Sequence, residues 1–136
     1  MVKVHFNENK GRMIEWIDIE IYRCSVVFLI ETTPEEWDNF YNEHKNEITE
    51  RDNVNVKDAF KEEKTIGYCQ PTEGNDYICY ISDKDNKGLV AHEIFHVAQI
   101  LLWDKGYRPD DTAEPVAYLI EYLINGFYKL LKETEK

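Results

Sequence analysis

The chain has 136 residues, enough for one domain with one hydrophobic core. Hydrophobic residues make up 43% and charged residues 32%, which excludes a disordered chain and predicts a folded domain. The formal net charge of −11 sets the chain against phosphate backbones and so against direct nucleic-acid binding.

The first residues, Val2-Lys3-Val4-His5-Phe6, alternate like a strand and lack the apolar stretch of a signal peptide. Met13 to Ile21 alternates with Ile17, Ile19 and Ile21 on one side, a half-buried strand. Cys24 to Ile30 is apolar and β-branched, a buried strand beside it. The two are either one long bent strand or a hairpin whose turn is not evident. At seven residues, Cys24 to Ile30 is too short to span a bilayer, so no membrane association is expected. Cys24, Cys69 and Cys79 are odd in number without C-x-x-C spacing, which suits reduced thiols and a cytoplasmic protein.

Thr33-Pro34-Glu35-Glu36 is a helix start with a capping threonine, proline in the first turn and a glutamate completing a capping box. Trp37, Phe40, Tyr41, His44 and Ile48 continue it to about Glu50. Residues 51 to 64 are polar and ambiguous. Thr65 to Cys69 and Asp76 to Ser82 read as short strands around the turn-rich Pro71 to Asn75. A polar loop from Asp83 to Lys87 leads to a helix that Gly88 opens and Gly106 closes. Because that helix is apolar over most of its surface, the pattern places it at the centre of the fold. A last helix runs from near Thr112, capped by Thr112 or Asp111, to about Lys132, with Pro115 in its first turn. The fold class expected is α+β: one domain over 1–136, a small antiparallel or mixed sheet packed on helices, with that central helix and a C-terminal helix.

The central helix carries His92-Glu93-Ile94-Phe95-His96, an HExxH pattern. Residues i and i+4 share one helix face, so both imidazoles can bind one zinc ion while Glu93 reaches a water beside it. Five residues with two free positions can also arise by accident. Polar groups on an otherwise apolar helix, however, need a reason to be there. A catalytic zinc takes three protein ligands and leaves one position open. Glu114, in the first turn of the last helix, is the candidate third ligand, since the chain reverses through Gly106 and Pro109. Glu121, two turns on, is an alternative ligand or an acceptor for a ligand imidazole, and Asp111 is a further alternative. Tyr118 is a candidate for oxyanion stabilisation, although a tyrosine at helical spacing is more often a core residue.

These residues resemble the zincin metallopeptidases, and HExxH followed by a downstream helical glutamate looks like their gluzincin branch. The likeness is closest to small zincin-like proteins of phages and mobile elements, and it covers roughly Thr65 to Leu131. It implies zinc held by His92, His96 and Glu114, Glu93 as general base, and a peptide or protein substrate. By analogy with zincins, the strand Asp76 to Ser82 would be the sheet edge that pairs with an extended substrate. The position four residues after Glu114, often aspartate in that branch, is Tyr118. An Ala-Asn-Phe-Ala-like signature after the glutamate, found in phage-associated peptidases that cleave repressors, is absent. Two other readings are open: a zinc-binding or degenerate zincin that acts as a protein-interaction module, and a metal-free module whose HExxH is accidental.

Overall fold

The structure is a computed structural model that describes residues 2–6, 13–62, 67–108 and 113–134. It is an α+β fold in three layers, with helices on both faces of a five-stranded mixed sheet. Strands β1 (Val2–Phe6), β2 (Met13–Ile19), β3 (Cys24–Ile30), β4 (Gly67–Pro71) and β5 (Tyr77–Ile81) lie in the order β1-β2-β3-β5-β4. Only β3 and β5 pair in parallel; the other neighbours are antiparallel.

β2 and β3 form a hairpin, which resolves the two sequence alternatives. The turn is a short 3-10 segment, Glu20–Tyr22, followed by Arg23 in the left-handed region at φ 52°. A left-handed arginine gives no Gly or Asn signal, so this turn is not evident from composition. β3 is buried at every position except Ser25, which is half-buried, because both of its faces are covered. Val26, Phe28 and Ile30 pack under α3 (Lys87–Asp104) and α4 (Ala113–Thr134). Val27 and Leu29 pack with Trp37, Phe40 and Val56 of α1 (Pro34–Glu43) and α2 (Glu50–Lys61) on the other side.

The capping box at Thr33 is present, with Glu36 N–H donating to Thr33 Oγ1 at 3.2 Å and Thr33 N–H donating to Glu36 Oε1 at 2.9 Å. α1 ends at Glu43, well short of Glu50. His44 Nδ1 lies 2.8 Å from the Phe40 carbonyl, the group that the His44 N–H would take in a continuing helix. The chain then turns, and Thr49 caps α2 by accepting from Asp52 N–H at 3.2 Å. α2 occupies most of the stretch read as ambiguous. Its buried side carries Asp52 and Asn53 beside Val56, so it shows no apolar stripe. Asn53 is buried because its Oδ1 accepts from Trp37 Nε1 at 2.7 Å.

Two further expectations are corrected. β5 is an interior strand between β3 and β4, so the edge on that side of the sheet is β4. α3 belongs to an outer layer rather than the centre. Val90, Ile94, Val97, Ala98, Leu101 and Leu102 face the core, whereas His92, Phe95, Gln99 and Trp103 are exposed. Among the described residues, no helix is long and apolar enough to cross a membrane. The Pro109 loop and the proposed caps Asp111 and Thr112 lie outside the described residues.

Candidate metal centre

The site rests on the first half of α3, and the helix is fixed at both ends. Asn86 caps it, its side chain accepting from Leu89 N–H at 3.0 Å. At the far end Gly106 takes φ 89°, Tyr107 N–H donates to Leu102 O, and Gly106 N–H donates to Trp103 O, each at 3.0 Å. That is the bond pattern of a Schellman motif, in which glycine supplies the left-handed residue at no steric cost.

His92 and His96 stand one turn apart on the open side of this helix. Their Nε2 atoms are 3.1 Å apart, with ring centroids 4.6 Å apart and planes at 80°. At that separation the two nitrogens can share one proton or one cation. Zinc–nitrogen bonds of 2.0–2.1 Å in a tetrahedron put two ligand nitrogens about 3.3 Å apart. The donor set and the spacing therefore fit a zinc ion.

Glu93 follows His92, and the turn of the helix carries its side chain inward. It is 5% exposed. Burial raises its carboxyl above the ordinary range, and the neighbouring His92 and His96 pull it back down. His92, Glu93 and His96 each offer a ligand atom within 4.8 Å of the others.

Sequence reading missed the partner that makes this arrangement possible. Gly67, at the start of edge strand β4, lies directly against Glu93. A Cβ at Gly67 would fall 2.5 Å from Glu93 Cδ and Oε2. Glycine inside a strand signals close approach by another group, and that signal was present in the sequence. β4 is also tied to α3 by Cys69, whose Sγ donates to the Glu93 carbonyl at 3.3 Å. Gly67, Asn86, Gly88 and Leu89 line a groove of about 370 Å³ with His92 and Glu93. The groove therefore lies along the first turns of α3 and meets the sheet edge at Gly67.

The structure does not bring Glu114 or Tyr118 to the histidine pair. Glu114 sits in the first turn of α4, immediately after the reversal that follows α3. Tyr107, just past the end of α3, packs edge-on against Tyr22, which lines one cavity with Glu114, so the start of α4 lies by the end of α3 and the helices run antiparallel. His92 lies twelve residues before the end of α3, about 18 Å along its axis. Glu114 is thus at the opposite end of the helix pair. It lines a separate cavity with Tyr118, and neither Glu114 nor Glu121 joins the His92–Glu93–His96 cluster. Asp111 lies outside the described residues. Cys24, Cys69 and Cys79 are free cysteines, with the Cys69 and Cys79 sulfurs 3.6 Å apart.

No protein-family model, curated protein or solved structure matches this chain.

Proposed function

We propose that this protein is a zinc-dependent peptidase in which His92 and His96 hold the metal and Glu93 is the general base. The observation that carries the reading is the His92–His96 Nε2 separation of 3.1 Å with the Glu93 carboxylate in the same cluster. An acidic group poised next to two metal-binding nitrogens is the arrangement that metal-assisted hydrolysis needs. When bound, zinc supplies Lewis acidity and lowers the pKa of a water toward neutrality. The chain's own contribution is positional. His92 and His96 orient their Nε2 atoms toward one point outside the helix. Glu93, held between α3 and Gly67, accepts a proton from the attacking water and returns it to the leaving amine. The open groove beside β4 leaves room for an extended substrate. The setting we propose for this activity is the cytoplasm, in keeping with the three free thiols.

One observation favours a second reading, a zinc-binding interaction module without hydrolysis. The carboxylate expected as third ligand lies at the far end of the helix pair. Glu93→Gln separates the two. In a peptidase, cleavage of a peptide library disappears in Glu93→Gln while zinc content is unchanged. In a module, zinc is bound and neither protein cleaves the library.

A further inference from the structure

The cavity that takes up Glu114 and Tyr118 has a character of its own. Its volume is about 690 Å³, and it lies between the tip of the β2–β3 hairpin and the first turns of α4. Its walls are mainly apolar and aromatic: Ile19 and Ile21 from the hairpin, Tyr118 and Tyr122 from α4. Ile19 is a buried core residue at the base of the groove, and the other three are open to solvent. Ile21 is 82% exposed, Tyr118 67% and Tyr122 50%. A contiguous exposed patch with two tyrosines is the composition of an interaction site rather than of ordinary surface.

The groove is also held in shape. Tyr122 Oη donates to the Asp18 carbonyl at 2.8 Å, fastening the helix to the hairpin across 104 positions of sequence. Preformed walls lower the ordering cost of binding. The charged residues that line it have one sign: Asp18, Glu20 and Glu114, of which Glu20 and Glu114 lie on the exposed surface. The whole chain, at −11, adds a long-range field of the same sign.

We infer that this groove binds an arginine-containing apolar peptide segment of a partner protein. Aliphatic side chains would fill the space beside Ile19 and Ile21. Guanidinium groups would lie over the faces of Tyr118 and Tyr122 and pair with Glu114 and Glu20, since arginine combines stacking with a planar fork that matches a carboxylate. The volume suits a short segment of a few residues. This inference does not depend on the metal centre, which lies at the other end of α3 and α4.

The test uses the whole protein with EDTA present and a labelled peptide, acetyl-Leu-Arg-Leu-Arg-Leu-amide, followed by fluorescence anisotropy. Two further peptides replace each Leu by Ser or each Arg by Glu. We expect the Leu/Arg peptide to bind at least tenfold more tightly than either. Tyr118→Ser should weaken binding by tenfold or more, and Glu114→Gln by about threefold with a shallower salt dependence. Glu50→Gln, an exposed acidic site on α2, should leave it unchanged. Tyr118 is mostly exposed, so the variant should keep the wild-type circular dichroism and unfolding midpoint. Equal binding of the Ser/Arg peptide, or full affinity in Tyr118→Ser, would reduce the effect to net charge and overturn the proposal. Self-association in sedimentation that Tyr118→Ser abolishes, with no peptide binding, would overturn it in favour of a second copy of this chain.

Discussion

The contact between Gly67 and Glu93 places the edge strand against the proposed general base, and it can be tested through stability alone. Gly67→Ala puts a methyl group 2.5 Å from Glu93 Cδ and Oε2 and 2.7 Å from Cγ. Gly67 does not have a positive φ, so the backbone accepts alanine and the steric conflict is the only cost. Overpacking of this kind costs about 1–3 kcal/mol. The three nearest atoms belong to the Glu93 side chain beyond Cβ, and Glu93→Ala removes them. A double-mutant cycle by urea unfolding should therefore show Gly67→Ala destabilising the wild type by about 1–3 kcal/mol. In the Glu93→Ala background the same change should cost under about 0.5 kcal/mol, a coupling of at least 1 kcal/mol. Equal costs in the two backgrounds, or no cost in either, would refute the placement of Glu93 against β4.

Three other outcomes follow from the structure. Glu15 is fully buried in β2 with neither carboxylate oxygen hydrogen-bonded; burial, with Glu133 adding in the same sense, pushes its carboxyl from 4.5 up to about 7. The folded state then holds this proton more tightly than the unfolded one, so the contribution of Glu15 to stability is greatest below pH 4.5 and is lost as pH rises to about 7. At about 1.4 kcal/mol per pH unit, unfolding measured from pH 4 to pH 8 should show wild type losing about 3 kcal/mol relative to Glu15→Gln; a pH-independent difference would contradict it. Asn53→Ala leaves the buried Trp37 Nε1–H without its acceptor and should lower the unfolding free energy by about 1–3 kcal/mol, whereas an unchanged urea midpoint would mean the bond does not hold α2 to α1. Zinc at a hundred times its dissociation constant should raise the unfolding free energy by about 2.7 kcal/mol, an effect that thermal scans should show lost in His92→Ala.

Periodicity and capping made much of the fold legible. β3 declared itself by a continuous apolar run, α1 by its capping box, and the end of α3 by Gly106. What stayed hidden depended on tertiary partners. α2 buries Asn53 against a tryptophan on another helix, and no local pattern shows that a polar residue will face inward. The end of α1 is set by a histidine side chain competing for a backbone carbonyl. The edge position of β4 comes from strand order, which strand sequences alone do not encode. At the site, the i, i+4 spacing of His92 and His96 was sufficient because one helix carries both. Glu114 had to be placed across a helix pair, and there the antiparallel register, not proximity in sequence, decides which residues meet. A reversal directly after α3 brings the first turn of α4 to the end of α3 and leaves the HExxH turn facing the sheet edge.

Metal analysis of the purified protein tests the central claim most directly. Zinc should be present at close to one equivalent in wild type and in Glu93→Gln, and should fall to background in His92→Ala and in His96→Ala. Zinc absent from wild-type protein reconstituted with excess metal and then dialysed, or retained in both histidine variants, would contradict the account.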